Sequence, residues 1–366
     1  MKLRCDREAL QEACLFVGHL ASERSPKPIL RNLKMVAEEK GLQLMATNLD
    51  AGARVWVDNV TVLDPGQVLT PASVLTQILR EVTTPMVDIN SEDKAVQVSA
   101  GRSRFRLVGD DPEEFPLVRD FLGDGAQRLP TAELAQMIEM TVFATATEAT
   151  RYSLNGVLVV FEKGATEFVA TDGHRLALIR KKIAGLSPMG ENAIVPADAM
   201  GLIQRLLAAA EEEVAVAVDE TTITVQSSRA LVNARLVEGH FPPYRDVIPK
   251  DADKKVTLQA GAFRSALRQA SILTSEESRA VRMHFATGKL VLRGSAAEMG
   301  EATVEMDIDY GYPDLEIGFN PVLLEDALRR LPAESEVTFE LSESARPAIL
   351  RGAEGFLYVV MPVTLV

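Results

Sequence analysis

The sequence predicts an α+β fold built from three copies of one module, each with two helices packed on antiparallel sheets. One pattern recurs: an apolar strand ends at Pro or Asn, and a helical stretch follows. The residues at that boundary, Pro71, Pro196 and Asn320, are spaced by 125 and 124 residues. A second repeated stretch, Phe115–Asp120, matches Phe241–Asp246. Self-similarity at a fixed period identifies a repeat architecture before any single element is considered.

The repeats place module boundaries at residues 1–122, 123–250 and 251–366. In each module, two stretches with helical spacing of apolar residues alternate with groups of short strands, which favours an α+β arrangement. Asp6 is placed to cap the first helix. The predicted helices are Arg7–Gly18, Ala72–Val82, Glu133–Ala144, Asp198–Ala210, Gly261–Ser271 and Pro321–Leu331.

The composition is that of a cytoplasmic globular protein. No run of about 18 apolar residues is present, so no membrane span is expected. The first residues lack the apolar core of a signal peptide. The two cysteines, Cys5 and Cys14, lack the spacing of a redox or metal motif, so they are expected to be ordinary thiols.

The charge is strongly acidic, with 52 Asp and Glu against 39 Lys and Arg, and a net value of −13. Because nucleic-acid affinity depends largely on cations that neutralise phosphates, the chain is expected to repel nucleic acid on average, and a DNA contact is not excluded. A weak, mobile contact requires basic residues on one surface. The predicted helices offer Arg7, Arg80, Arg205, Arg264, Arg268, Arg329 and Arg330. Scattered solubilising charges remain an alternative interpretation.

No pattern in the sequence predicts catalysis, a cofactor or a metal site. Phosphate-binding glycine loops and nucleophile motifs are absent, and the four histidines are dispersed. An enzyme such as a polymerase or nuclease would need clustered carboxylates to hold metal ions. An acidic protein-binding scaffold without a DNA contact is a further alternative.

Four stretches together resemble the beta subunit of bacterial DNA polymerase III, the sliding clamp family. They are Arg151–Gly156, Val169–Leu176, Phe241–Arg245 and Tyr358–Pro362. The resemblance covers the whole chain, including the threefold repeat. It implies a head-to-tail homodimer whose six modules form a ring around double-stranded DNA, with helices lining the hole. It also implies a non-catalytic processivity factor that tethers the polymerase III alpha subunit, clamp-loader subunits, repair polymerases and other proteins with a clamp-binding motif.

The resemblance further implies a peptide-binding groove between the second and third modules. Its residues would be Leu154, Thr171, Gly173, His174, Arg175, Leu176, Pro242, Val247, Asn320, Val359, Val360, Met361, Pro362 and Val363. Apolar side chains that only fill the core are the alternative, most of all for Leu176. Asp246, Leu323 and the final Thr364-Leu365-Val366 depart from the family pattern, so the peptide preference is expected to differ.

Two other sets of residues follow from the same resemblance. Ring closure would use edge strands of the first and third modules, with Arg102 and Arg104 facing Glu298, Glu301 and Glu305, and with Ile272 and Leu273 as the apolar contact. A solvated strand edge is the alternative. DNA-facing positions would be Arg24, Tyr152, Arg279 and Arg282.

Overall fold

The chain folds into six α-helices and 25 β-strands within the residues that the computed structural model describes. These are residues 1–92, 94–121, 123, 125–148, 152–274, 280–352 and 354–365. The first copy of the repeat contains β1 (Lys2–Asp6), α1 (Arg7–Gly18), β2 (Asn32–Glu38), β3 (Gly41–Thr47), β4 (Ala51–Val57), β5 (Val60–Asp64), β6 (Gly66–Pro71), α2 (Ala72–Glu81), β7 (Met86–Glu92), β8 (Ala95–Ala100) and β9 (Ser103–Val108).

The second and third copies repeat this order without a counterpart of β5. The second contains β10 (Gln127–Pro130), α3 (Thr131–Glu139), β11 (Gly156–Glu162), β12 (Ala165–Thr171), β13 (Arg175–Lys182), β14 (Met189–Pro196), α4 (Ala197–Leu207), β15 (Glu213–Val218), β16 (Thr222–Gln226) and β17 (Ala230–Arg235). The third contains β18 (Lys254–Gln259), α5 (Ala260–Ser271), β19 (Val281–Ala286), β20 (Lys289–Ala296), β21 (Gly300–Asp307), β22 (Leu315–Phe319), α6 (Pro321–Leu328), β23 (Glu336–Leu341), β24 (Ala348–Arg351) and β25 (Phe356–Val360).

The strands form four antiparallel sheets, and two of these join neighbouring copies. One sheet has the order β10-β15-β16-β17-β4-β3-β2-β6, and another β14-β11-β12-β13-β25-β24-β23-β18. The first joins at β17–β4 and the second at β13–β25; we call these the first and second seams. The two smaller sheets, β5-β1-β7-β8-β9 and β21-β20-β19-β22, belong to the first and third copies alone.

The seams explain why three copies of the repeat give two compact units. One unit comprises Met1–Ala135 and Asp198–Leu236, and the other Gln136–Ala197 and Val237–Val366. The central copy therefore contributes one half to each unit. In each half, its strands continue a neighbour's sheet, so main-chain hydrogen bonds hold the two copies together.

Helix caps and ends follow local side-chain chemistry. Asp6 caps α1 as predicted, since its carboxylate accepts a hydrogen bond from the Ala9 N–H at 2.9 Å. The third helix is shorter than predicted and is followed by a 3-10 turn, Val142–Ala144. There the Thr141 hydroxyl donates to the Met137 carbonyl at 2.7 Å, a back-bond that competes with regular helix. Cys5 and Cys14 are free and buried.

Candidate functional site: a groove at the second seam and two free strand edges

The second seam brings the predicted Gly173–Leu176 segment beside the predicted tail. Arg175 pairs with Val360 and Leu176 with Val359. Beyond the strand end, the Met361 N–H donates to the His174 carbonyl at 2.9 Å. The C-terminal tail therefore lies alongside the β12–β13 turn.

The β12–β13 turn is held in shape by its own side chains. The Thr171 hydroxyl donates to the Arg175 carbonyl at 2.6 Å and accepts the Gly173 N–H at 3.1 Å. Asp172 accepts the N–H groups of His174 and Arg175 at 2.9 and 3.1 Å. Gly173 has a φ of +91°, which a side chain would oppose. Gly173 and His174 are exposed, so the turn presents a fixed backbone to solvent.

Arg175 acts as an internal cross-link within this site. Its guanidinium bonds the Asp172 carboxylate at 2.9 Å, Asp326 on α6 at 2.7 Å, and the Phe143 carbonyl at 2.9 Å. It also lies 5.5 Å from the centre of the Phe143 ring. Burial opposes the charge, but the hydrogen bond to Asp326 and the charge of Asp172 more than offset it, and the pKa of Arg175 is raised. This side chain joins α6 to the turn.

The tail is fastened a second time, two residues further on. The Val363 N–H donates to the Gly318 carbonyl on β22 at 2.9 Å, which forms an isolated antiparallel bridge. Gly318 leaves room for the tail, since a Cβ there would lie 2.4 Å from the Leu365 side chain. Between the two bonds, Met361 is 42% exposed. Two main-chain hydrogen bonds thus present an apolar side chain at the surface.

The linker Phe241–Ile248 covers the neighbouring part of the same sheet. Phe241, Tyr244 and Ile248 pack on a buried cluster that contains Leu176 and Val359. The Tyr244 hydroxyl donates to the buried Glu167, and Arg245 pairs with the same carboxylate at 2.9 Å. Burial and the bond to Glu167 raise the pKa of Tyr244 to about 12.

The predicted groove residues therefore fall into two sets. Exposed at the surface are Gly173, His174, Pro242, Val247 and Met361, with Pro362 and Val363 half-buried. Beneath them lie the buried Thr171, Leu176, Val359 and Val360. Leu176 and Val359 both belong to a buried cluster that contains residues of the second and third copies.

The last two predicted residues lie at element ends. Asn320 caps α6 by accepting the Val322 N–H at 3.0 Å. Leu154 ends a 3-10 turn, and its carbonyl accepts the Ala146 N–H at 2.9 Å. Sequence reasoning missed Phe143, Glu167 and Asp326, whose roles arise only from tertiary contacts.

The predicted ring-closure residues lie on or beside two strands that end their sheets. β9 carries Arg104, with Arg102 just before it, and β21 carries Glu301 and Glu305. All four side chains are exposed, as is Glu298. Ile272, at the end of α5, is 72% exposed, and Leu273 is half-buried. Arg106 on β9 is exposed as well and was missed by sequence reasoning.

The predicted DNA-facing residues differ from one another in their place in the fold and in their contacts. Arg24 is exposed in the loop after α1. Arg282 lies on β19 and is 3.6 Å from Glu316. Tyr152 begins the 3-10 turn that ends at Leu154, and Arg279 lies outside the described residues.

Among the helix arginines, Arg80 and Arg205 are exposed as predicted. The prediction that Arg7 is exposed is wrong, since its side chain is 17% exposed and donates to Gln11 and the Leu79 carbonyl. Arg268, Arg329 and Arg330 form ion pairs with Glu325, Asp326 and Glu139. These pairs reduce the positive charge that the helices offer to a partner.

Two properties of the described part of the chain bear on other classes of function. No group of three or more His, Cys, Asp or Glu side chains in it is arranged to hold a metal ion. None of its helices has the length and hydropathy that a membrane crossing requires.

Repeated modules joined by continuous sheets, with an exposed turn and the tail side by side at the second seam, define a modular protein built from linked sheets. Family models of the DNA polymerase III beta subunit match the chain throughout: the N-terminal domain at residues 1–119, the central domain at 128–243 and the C-terminal domain at 245–364. The beta sliding clamp of Pseudomonas putida is 33% identical, and that of Pseudomonas aeruginosa is 32% identical, each over the full length of both chains.

Solved structures agree with these matches. The crystal structure of the DNA polymerase III subunit beta from P. aeruginosa superposes with a TM-score of 0.91 at 32% identity, and covers all of both chains. The DNA polymerase sliding clamp from Bacillus subtilis gives 0.94 at 25% identity, also over both full chains. The chain belongs to the DNA polymerase III beta subunit family, the bacterial sliding clamps.

Proposed function

We propose that two copies of this chain join head to tail into a closed ring that encircles duplex DNA and tethers replication and repair proteins to it. Family membership supports the sliding-clamp function and its non-catalytic nature. The single observation that carries the ring is the pair of free strand edges, β9 and β21. Each is the repeat counterpart of a strand that forms a seam elsewhere in the chain.

The seams predict how these edges pair. At both seams, the third strand of one copy's β-meander (the run β2–β4 and its counterparts) pairs with the last strand of the next copy: β4 with β17, and β13 with β25. Two strands of these kinds form no seam within the chain: β21, the third meander strand of the third copy, and β9, the last strand of the first copy. Pairing of β21 with β9 of a second chain continues the same rule. A head-to-tail contact that closes after two copies is a permitted symmetric assembly.

The register seen at the two seams can be applied to the pairing of β21 with β9. In both seams the second residue of the meander strand faces the fourth residue of the last strand: Gly52 faces Asn233, and Leu176 faces Val359. The same rule sets Glu301 opposite Arg106. Two residues along, Thr303 faces Arg104, and Glu305 then faces Arg102.

This register matches charge with charge and apolar face with apolar face. Glu301, Thr303 and Glu305 are exposed on β21, and the residues between them are half-buried. On β9, Arg104 and Arg106 are exposed, and Phe105 and Leu107 are half-buried. Opposite charges directly across an antiparallel pair stabilise it. Glu298 lies near the start of β21, and Ile272 and Leu273 supply apolar surface at the end of α5.

The DNA contact proposed for the ring is weak. Arg24, Tyr152, Arg279 and Arg282 are the proposed DNA-facing positions, with the exposed Arg80 and Arg205 as further cations. Several other arginines are neutralised by neighbouring carboxylates. A ring does not need tight phosphate contacts, because topological linkage retains it while it slides. Strong phosphate neutralisation would instead hold it at one place.

The groove at the second seam is the proposed docking site for partner peptides. A sliding clamp from P. aeruginosa has been crystallised bound to griselimycin. In this chain, Met361, Pro362 and Val247 offer apolar contacts, and the rigid backbone of Gly173 and His174 offers polar ones. Such a preformed site suits a short extended peptide with Leu or Phe anchors. The proposed ligands are segments of the polymerase alpha subunit, clamp-loader subunits and repair polymerases.

Three less specific proposals complete this assignment. The three copies of the repeat are bounded at residues 1–122, 123–250 and 251–366. The protein acts in the cytoplasm, where the chromosome is replicated. It uses no cofactor of its own.

A loading experiment tests the ring. The protein is loaded by its clamp loader onto nicked circular DNA and, in parallel, onto linear DNA with free ends. Retention on circles together with loss from linear DNA is the expected result, since a ring leaves DNA only at an end. Equal retention on both substrates would contradict topological linkage.

A second experiment tests the groove. Replacing Met361 and Pro362 by Ala is expected to abolish binding of a polymerase-derived peptide and to leave the dimer intact. The matched control is Leu63→Ala, which changes an apolar residue that is 59% exposed and lies outside the groove. Loss of the dimer in the Met361 and Pro362 variant would refute this placement of the groove.

A further inference from the structure

The first seam carries a cleft at the repeat position of the peptide groove. It has a volume of 320 Å³, and its lining includes Thr47, Leu49, Asp50, Pro116 and Asn233. Thr47 is the counterpart of Thr171, Pro116 of Pro242, and Asn233 of Val359. All lie in the unit formed by residues 1–135 and 198–236.

The turns at the two sites are built in the same way. At the first seam, the Thr47 hydroxyl donates to the Ala51 carbonyl at 2.7 Å and accepts the Leu49 N–H at 3.0 Å. Asn48 accepts the N–H groups of Asp50 and Ala51, as Asp172 does for its own neighbours. Leu49 has a φ of +83°, close to the +91° of Gly173. A leucine in this conformation is strained, and here its side chain is 41% exposed beside the cleft.

The two sites differ in charge because the basic and acidic partners of the ion pair between linker and sheet are exchanged. At the second seam, Arg245 of the linker pairs with Glu167 of the sheet. At the first seam, the sheet supplies the arginine: Arg54 pairs with Asp120 of the linker at 2.5 Å.

This exchange leaves the cleft with unneutralised cations. Gln43 stands at the repeat position of Glu167, so Arg119 lacks the carboxylate that holds its counterpart Arg245 at the second seam. Arg119 and Arg235 both line the cleft, both are exposed, and neither has an ion-pair partner among the described residues. Asp50 is the one acidic residue in the lining, so the charge that faces the cleft is positive.

The wall of the cleft also contains a polar group without a partner. Asn233 is 9% exposed, and its amide oxygen is buried with no hydrogen-bond partner. It lies over Gly52, where a Cβ would be 2.5 Å from this oxygen. The corresponding pair at the second seam is Leu176 and Val359, which pack together in the core. An unsatisfied buried acceptor costs free energy.

An apolar surface borders the polar wall. Leu117 in the linker is 87% exposed, and it lines the cleft together with Leu49 and Pro116. The cleft therefore combines two free arginines, an unpaired acceptor and two exposed leucines.

We propose that this cleft is a second peptide-binding site, and that it takes an acidic peptide. A pair of carboxylates would bind Arg119 and Arg235, since arginine binds carboxylates with strong, charge-assisted hydrogen bonds. One apolar side chain of the peptide would cover Leu49 and Leu117. The site is distinct from the groove at the second seam, so a clamp can hold two different peptides on one chain.

Peptide titration of the full-length protein tests the proposal. The probe is a fluorescein-labelled Leu-Glu-Glu peptide with an amidated C-terminus, and the matched probe is Leu-Gln-Gln with the same label. Fluorescence anisotropy is expected to show saturable binding of Leu-Glu-Glu, with Leu-Gln-Gln weaker by about tenfold or more. Absence of saturable binding up to about 1 mM, or equal binding of both peptides, would overturn the proposal.

Variants locate the binding. Changing both Arg119 and Arg235 to Ser should weaken Leu-Glu-Glu by about tenfold or more, and should leave the peptide groove and the dimer unchanged. Binding that is lost with Met361→Ala instead belongs to the groove and refutes a second site. The proposal also fails if the Leu-Glu-Glu titration shows no binding and the double arginine variant is no longer retained on DNA, because the two arginines then contact DNA.

Discussion

Reversing one charge on the proposed ring-closing strand should weaken the dimer by a predictable amount. The change is Arg106→Glu, which sets two carboxylates opposite each other, since the seam register places Glu301 across from Arg106. An opposite-charge pair across two strands contributes about 0.2–1 kcal/mol, and like charges cost a similar amount. Reversal therefore costs about 1 kcal/mol at each contact.

The ring contains this contact twice, because two identical interfaces close it. The total is about 2 kcal/mol, which corresponds to roughly a thirtyfold increase in the dimer dissociation constant. Analytical ultracentrifugation or mass photometry over a dilution series measures this constant. Raising the salt concentration should reduce the difference between variant and parent, because exposed charges are screened.

Two further variants make the test specific. Arg106→Glu combined with Glu301→Arg restores opposite charges and should return the constant to within about threefold of the parent. Arg80→Glu makes the same change in net charge on an exposed helix position and should leave the dimer unchanged. If Arg106→Glu has no effect, or if the combined variant does not recover, the register derived from the seams is wrong.

Three other predictions concern the second seam and the core. Arg175→Ala should lower the free energy of unfolding by about 3 kcal/mol in urea titrations, because Asp172 and Asp326 lose their partner; Arg175→Lys should recover little, since an ammonium cannot make the same set of bonds. Gly318→Val should weaken binding of a polymerase-derived peptide by about tenfold, because the new side chain displaces Leu365. The matched control is Gly311→Val, whose added Cβ would meet no atom within 4 Å. Equal effects of the two variants on peptide binding would contradict the role of the tail. Burial raises the pKa of Cys5 from 9.0 to about 12, so the folded state favours the neutral thiol. The contribution of Cys5 to the free energy of unfolding should therefore be complete below pH 9 and should be lost as the pH rises to 12. Urea unfolding measured against pH should show a smaller fall for Cys5→Val, and an identical pH profile of parent and variant would refute the assignment.

The repeat and most of its elements could be predicted from residue patterns. The first helix has the predicted bounds, Arg7–Gly18, because Asp6 caps it and its apolar spacing is regular. The last helix was predicted to reach Leu331 but ends at Leu328. Its final turn has tighter bonds, from the Arg330 and Leu331 N–H groups to carbonyls three residues back, just before Pro332. Strand β5 was missed, since Val60–Asp64 forms an edge with little buried surface.

The groove was predictable only by resemblance, because its residues come from five separate segments of the chain. No periodicity in the sequence shows that Arg175 reaches Asp326, or that Val363 bonds Gly318. The partners at the two linkers illustrate the same limit. Phe115–Asp120 and Phe241–Asp246 look alike as sequences, yet one is fastened by Arg54 and the other by Glu167.

The sequence by itself determined the period, the fold class, the acidic balance and the family, since these depend on local patterns that survive in a one-dimensional string. Tertiary structure decided which copies share a sheet, which strands lie at the edges of their sheets, and which arginines keep their charge available. Those properties depend on strand register and on side-chain neighbours far away in the sequence, such as Asp326, which bonds Arg175 from 151 residues along the chain.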